Sequence, residues 1–355
     1  NINGNKLRII NIYNLAQKLN HRIYNLSLGK KFTNGFIRNG HDVIEISDRD
    51  YVRQNKGINL LSFRDKFHNY LIETFKNYNP DLVIFGHSDN INHEILSDFR
   101  SINKKIIISQ WNEDPLMKNL SDTSENVNKL KKFFPMVDHS FITTNPSVLK
   151  HSKRFNQNIH FFMTPVDKNI ECFDVFKLKP ENDVFYAMSH GVNRGVLKRG
   201  KTDGREEFLE QLIKNNPTIK FDVYGLNGRQ PIWAESFFNV ISQSKMALNL
   251  SRGVPKKYYS SNRIASILGN GLLTFIDEKT KFNHFFSNKE LVFYKSLDDL
   301  SEKMQKLSLD DHERKRIAKN GWAKYHKFFN SQIVTEYMIN KVFDFNDKKK
   351  TLWDN

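Results

Sequence analysis

The stretch from Lys245 to Asp277, KMALNLSRGVPKKYYSSNRIASILGNGLLTFID, decides the fold. Met246 to Leu250 is a short apolar run of the kind that is buried on both faces in a parallel sheet. It breaks into a polar, basic loop, Ser251-Arg252-Gly253-Val254-Pro255-Lys256-Lys257. Ser260, Ser261 and Asn262 supply helix-capping side chains, and Arg263 to Leu268 carries a helical pattern. Gly269-Asn270-Gly271 then stops the helix before a second apolar run, Leu272 to Ile276. Strand, loop, helix and strand make one βαβ unit. A helix start aims unpaired N–H groups and partial positive charge outward, and Arg252, Lys256, Lys257 and Arg263 flank this one. The loop therefore suits a phosphate or diphosphate; a solvated basic loop on an ordinary crossover is the other reading of the same charges.

Working outward, the alternation extends through the whole chain. Strands are expected at Leu7 to Tyr13, Val43 to Ser47, Leu82 to Phe85, Lys105 to Ser109, His139 to Thr143 and Ile159 to Met163. Helices are expected up to about Arg38, from Phe63 to Asn77 and from Asn126 to Phe134. Thr164-Pro165-Val166-Asp167 reads as the exit from a first domain, placed at residues 1–167. Strands at Asp183 to Met188, Ile219 to Tyr224, Met246 to Leu250, Leu272 to Ile276 and Leu291 to Tyr294 alternate with helices in a second domain, residues 168–330. Amphipathic helices at His312 to Phe329 and Ile333 to Phe345 follow, and residues 331–355 form a terminal helix with a basic tail. The expected class is α/β: two doubly wound Rossmann-like domains facing a cleft, with C-terminal helices packing back.

Composition narrows the function. The 355 residues are 13% aromatic and 39% hydrophobic, enough for two packed cores. No run reaches the ~20 apolar residues of a membrane-spanning helix. Cys172 is the one cysteine, which excludes an intramolecular disulfide and fits a reducing compartment; with no secretory leader in NINGNKLRII, a cytoplasmic location is expected. A net charge of +16 points to acidic partners: phosphorylated substrates, an anionic membrane face, or nucleic acid. No helix-turn-helix, RRM or zinc pattern accompanies the charge, so no specific nucleic acid is expected. A dehydrogenase would carry Gly-x-Gly-x-x-Gly after the first strand, where Ile12-Tyr13-Asn14-Leu15-Ala16 stands instead. A non-catalytic small-molecule binding protein would share the topology without needing an arginine-rich anion seat.

Several segments carry a resemblance: Asn39-Gly40-His41-Asp42-Val43, Val137 to Lys150 (VDHSFITTNPSVLK) and Thr164-Pro165-Val166-Asp167 resemble the acceptor domain and linker of GT-B glycosyltransferases. The C-terminal half is similar to the CgeB-like, group 1 type of that superfamily. The residues concerned are Val223-Tyr224-Gly225, Ser244 to Ser251, Ser261-Asn262-Arg263 through Gly269-Asn270-Gly271-Leu272-Leu273, and Lys324-Tyr325-His326. The resemblance covers most of residues 180–330 and implies a metal-independent transferase that uses a nucleotide sugar, UDP- or GDP-linked, with no further cofactor. One departure stands out: where many members place a ribose-binding Glu one turn into the helix, this chain has Ser266.

Glycosyl transfer needs cations for the departing diphosphate and, for inversion, a base for the acceptor hydroxyl. Arg194, Arg252 and Arg263 are assigned to the phosphates, with Lys198 and Lys257 behind them. Gly225, Asn249, Ser251, Ser260, Ser261, Asn262 and Ser266 are candidate donor contacts, and their alternative role is capping or strand-end hydrogen bonding. For the base, His87 and Asp114 are preferred over other strand-end groups, while Asn14, Asp89, Glu113 and Trp111 are placed against the acceptor; loop caps and a core aromatic are the alternatives. The expected acceptor is a glycan or lipid-linked chain, with peripheral contact to the inner membrane face. The competing expectation is a phosphate- or nucleic-acid-binding protein on a GT-B-like, non-catalytic fold.

Overall fold

The computed structural model describes residues 6–17, 26–55, 60–116, 121–149, 158–188, 204–226, 228–233, 235–345 and 351–354. The chain divides into two compact units, Asn1–Pro165 with Ser331–Asn355, and Val166–Asn330. The terminal segment is thus part of the first unit rather than a separate piece.

The first unit is built on a six-stranded sheet. Its strands are β1 (Arg8–Ile12), β2 (Asp42–Ile46), β3 (Leu82–Phe85), β4 (Ile107–Asn112), β5 (His139–Ile142) and β6 (Asn158–Phe161), all parallel, in the order β2-β1-β3-β4-β5-β6. Alternate residues of each strand point to opposite faces, and both faces are covered. Leu7, Ile9, Leu82 and Ile84 pack against Phe32 and Phe36 of α1 (Leu28–Arg38) and Val334 and Met338 of α11 (Ser331–Phe343). Ile10, Ile12, Val83 and Phe85 pack against Phe67, Leu71 and Phe75 of α3 (Leu60–Tyr78) and Ile95 and Phe99 of α4 (His93–Ile102).

Local chemistry sets the helix ends. Ser27 caps α1 by accepting from the Lys30 N–H, and the helix stops at Asn39 before Gly40, whose φ of 87° suits glycine. A Cβ on Gly35 would stand 2.3 Å from the Ser331 carbonyl oxygen, so only glycine lets α1 and α11 come this close. Asn11, buried in β1, donates to the Gly29 carbonyl and to Thr33 Oγ1, both at 3.0 Å, and so fixes α1 on the sheet.

Two helices, α2 (Asp48–Gln54) and α4, were not anticipated; the remaining short helix here is α5 (Ser121–Lys132). Strand β4 runs three residues beyond the expected end at Ser109, because Gln110 pairs with Phe85 and Trp111 with Phe141 on its two neighbours. Pairing on both sides outweighs the polar character of Gln110 and Asn112.

The second unit holds a five-stranded parallel sheet, ordered β11-β10-β9-β7-β8. The strands are β7 (Asn182–Ala187), β8 (Phe221–Tyr224), β9 (Ser244–Asn249), β10 (Leu273–Asp277) and β11 (Val292–Tyr294). Val184, Tyr186, Met246, Leu248, Leu273 and Phe275 form its core with α6 (Arg205–Asn215), α9 (Leu297–Leu309) and α10 (Asp311–Phe328). α7 (Glu235–Ile241) and α8 (Arg263–Gly269) complete the crossovers. Val166 bridges Asn330, so the chain enters and leaves this unit side by side. No helix among the described residues is long and apolar enough to cross a membrane.

Candidate active site

In an open parallel sheet the first and third strands to be laid down diverge in connection, and the loops at their carboxyl ends leave a crevice. The second sheet reverses between β7 and β9. Arg263, the first residue of α8, spans this point: Nη1 donates to the Leu250 carbonyl at 2.8 Å and Nη2 to the Ala187 carbonyl at 3.1 Å. Its guanidinium carbon lies 4.9 Å from the Tyr186 ring centroid, and the Tyr186 hydroxyl donates to the same Leu250 carbonyl at 2.9 Å. The assigned phosphate ligand therefore also holds together the ends of the two strands on which the loops hang.

The basic loop is braced along its length. Ser260 Oγ donates to Asn249 Oδ1 at 3.2 Å, Ser261 Oγ accepts from Arg263, and the Tyr258 N–H donates to the Thr280 carbonyl at 2.8 Å. Asn249 and Ser260 are buried, Ser251 is half-buried, and Arg252 and Lys257 are exposed, Lys257 with its ammonium 5.0 Å from the Tyr258 ring centroid. Lys256 differs from both. It is 6% exposed, and its Nζ has no hydrogen-bond partner among the described residues. Burial pushes its ammonium pKa below the ordinary lysine value.

Asn262 precedes α8 with φ −53° and ψ −14° and gives no side-chain cap hydrogen bond. Ser266 Oγ donates back to the Asn262 carbonyl at 3.3 Å, an arrangement typical of a helical serine. Gly225, at φ 77°, is required by the fold: a Cβ there would stand 2.0 Å from the Met188 carbonyl oxygen. Arg194 and Lys198 lie outside the described residues.

The first sheet reverses between β1 and β3. Gly86 leaves β3 against the Trp111 ring, where a Cβ would be 2.2 Å from ring carbon, and His87 follows at φ 49°. This left-handed conformation is uncommon for a side chain bearing a Cβ. Asp48, fully buried at the start of α2, locks the turn: Oδ2 accepts from the Asp89 and Asn90 N–H groups at 2.9 and 3.0 Å and from Asn90 Nδ2 at 2.9 Å. Asp89 itself pairs with Arg49 at 2.7 Å.

His87 Nε2 lies 3.2 Å from Glu113 Oε1 and 4.0 Å from Asp114 Oδ2, both just past β4. Burial opposes the imidazolium, but the nearby Glu113 and Asp114 carboxylates outweigh it, and the pKa of His87 stands above the ordinary histidine value. The imidazole is 30% exposed, although Nε2 itself is covered. After β1, Asn14 Oδ1 accepts from the Ala16 N–H at 3.0 Å, and Ser47 and Asp50 accept from the Leu15 and Gln17 N–H groups. Asn14 is buried as a turn-former.

Comparisons with known proteins bear on the fold. Residues 201–340 match a family model described as glycosyl transferase-like. A search of curated proteins gave no match. Among solved structures, an alpha-glucosyltransferase in complex with UDP and a 13-mer DNA aligns at 13% identity over 95% of this chain and 100% of that one, with a TM-score of 0.65. HepE from Anabaena, in complex with UDP and glucose, aligns at 9% identity over 96% and 100%, TM-score 0.60. Sucrose-phosphate synthase from Thermosynechococcus elongatus aligns at 11% over 94% and 98%, TM-score 0.58. The chain has the GT-B fold.

Within this GT-B fold the structure brings Asn14, His87, Asp89, Glu113 and Asp114 to one edge of the first sheet, and Asn249 to Arg263 to the corresponding edge of the second. Trp111 lies beside His87, with ring centroids 5.4 Å apart, but from below. It is 3% exposed and packed edge-on against Phe32 at 5.5 Å, a core residue rather than a sugar-stacking platform. Held within β4 and paired with Phe141, it packs in the core between the sheet and α1.

Sequence reasoning missed Asp48 and Asp50, although Ser47-Asp48-Arg49-Asp50 directly after a strand is a strong helix-start signal. It also missed Arg229, which stacks over the Tyr224 ring at 4.0 Å and bonds Asp222 at 2.8 Å at the end of β8. Nothing in the sequence pairs a strand residue with that loop arginine. Among the described residues no group of three or more His, Cys, Asp or Glu could hold a metal ion.

Proposed function

We propose that the protein transfers a sugar from a nucleotide sugar to an acceptor hydroxyl without a bound metal. The observation that carries this is the pair of parallel sheets, each with a prepared reversal point, the second lined by the braced cationic loop Arg252 to Arg263 inside the glycosyl transferase-like match. A diphosphate leaving group needs fixed positive charge placed before the reaction begins, and a braced loop supplies it without reorganisation. UDP is the nucleotide of first choice, because both the alpha-glucosyltransferase and HepE structures hold it.

In this reading His87 accepts the acceptor proton. Its Nε2 faces Glu113 and Asp114, so Nδ1 is the nitrogen left to take the proton, and the carboxylates stabilise the imidazolium that results. Glu113 orients the ring. The acceptor is a glycan or lipid-linked chain, and the charge of +16 favours one presented at an anionic surface.

The test is a thermal-shift panel of UDP, GDP, ADP, CMP and their sugar conjugates, run with EDTA. A rise in Tm with UDP and its conjugate supports the reading. Absence of any shift, together with salt-sensitive binding to DNA, would replace it with the phosphate- or nucleic-acid-binding alternative that the same net charge favours.

A further inference from the structure

The segment Ser47 to Asp50, where β2 passes into α2, holds the loops that follow two other strands. In the loop after β1, Ser47 Oγ accepts from the Leu15 N–H and Asp50 Oδ2 from the Gln17 N–H, each at 3.0 Å. In the turn after β3, Asp48 Oδ2 accepts from the Asp89 and Asn90 N–H groups and from Asn90 Nδ2, while Arg49 pairs with the Asp89 carboxylate. β1 lies between β2 and β3, so Asp48 reaches past one strand to grip the turn of the next. Both held loops carry a non-glycine residue in the left-handed region, Ala16 at φ 51° and His87 at φ 49°. Such a backbone persists only where its surroundings fix it.

Asp48 is fully buried, and its Oδ1 is covered with no hydrogen-bond partner. A carboxylate withdrawn from water this far is costly. What it secures is the backbone two and three residues beyond His87. The charges that bear on the His87 imidazole are those of Glu113 and Asp114, just past β4, and of Arg49 on α2. Asp48 acts on the backbone instead.

We propose that Asp48 is a positioning residue for the transfer reaction, keeping His87 beside Glu113 and Asp114 by gripping the turn that carries it. This rests on the reading of His87 as the base of a nucleotide-sugar transferase.

The experiment follows the His87 imidazole by NMR through a pH titration of isotope-labelled protein, in wild type, Asp48→Asn and Asp48→Ala, with His87→Gln assigning the signal. Asn keeps an acceptor for the turn and loses the charge; Ala loses both. Asp48→Ser, whose hydroxyl is too short to reach both N–H groups, replaces Ala if Ala impairs folding. Wild type and Asn should titrate together, above the ordinary histidine value of about 6.5, and Ala lower, because its imidazole leaves the carboxylates. With the nucleotide sugar selected by the thermal-shift panel, Ala should lose about tenfold or more in kcat at unchanged donor KM, as a misplaced catalytic group does. A wild-type titration or a wild-type kcat in Ala, whatever its Tm, confines Asp48 to stability; that overturns this proposal and leaves the transferase reading standing. Equal falls in Asn and Ala overturn it as well, since charge rather than grip would then be responsible. A wild type unmoved by every nucleotide in the panel overturns both readings.

Discussion

Glu113 Oε1 stands 3.2 Å from Nε2 of His87, with Asp114 Oδ2 behind it at 4.0 Å, and the pair raises the imidazole pKa against the pull of burial. A base must be neutral to act, so the acid limb of the rate profile should fall above about pH 6.5, the unperturbed histidine value. Glu113→Gln should move that limb to lower pH, and His87→Gln should remove it; initial rates from pH 5 to 9 decide. A limb that does not move in Glu113→Gln assigns the proton to another group. The linked stability effect has a fixed sign. Because the folded pKa is raised, the contribution of His87 is complete below the unfolded pKa and is lost as pH rises through the folded value.

Arg263 ties the carbonyls of Ala187 and Leu250, the ends of β7 and β9. Arg263→Ala removes two charge-assisted hydrogen bonds and should cost about 2 kcal/mol of stability. Nucleotide binding should weaken as well, by more than ~1 kcal/mol. Denaturant unfolding and UDP titration on the same preparation separate the effects. Lost stability with unchanged affinity would confine Arg263 to the strand ends.

Gly35 faces the Ser331 carbonyl, with a Cβ contact of 2.3 Å and another of 2.7 Å to Thr335 Oγ1. Gly35→Ala gains helix propensity of about 1 kcal/mol but must force α11 off α1, an overpacking cost of about 1–3 kcal/mol. The obstacle is backbone, which cannot turn aside like a side chain. A net loss is expected in the urea midpoint, and a gain would show that α11 yields freely.

The eleven strands among the described residues were all legible from apolar runs bounded by turn residues, and they occur in the expected order. Their legibility has a simple cause: strands covered on both faces need continuous apolar sequence, and Leu82 to Phe85 or Met246 to Leu250 cannot serve another purpose in water. The loop from Ser251 to Asn262 and the strand-end position of His87 were legible for the same reason, since a strand's end fixes where its loop begins.

Individual side chains were less so. Trp111 and Glu113 stand two residues apart, yet one is core and the other reaches His87. Alternation alone would send both to one face; the difference is that β4 ends at Asn112, so Trp111 is held within the paired sheet while Glu113 lies just past it. Asp48 gave no sign that it would hold the turn after β3, because Asp89 and Asn90 lie about forty residues away.

By itself, then, the sequence determined the alternation of strand and helix, the parallel sheets this implies, and the cationic loop after β9, because hydrophobic period and turn chemistry are local properties. Tertiary structure alone decided that Ser331 to Phe343 packs on α1, that Arg263 bonds Ala187, and that Lys256 is turned inward while Lys257 is exposed. These depend on contacts between residues distant in the chain, or on which side of a braced loop a side chain leaves, and neither is written in the local pattern.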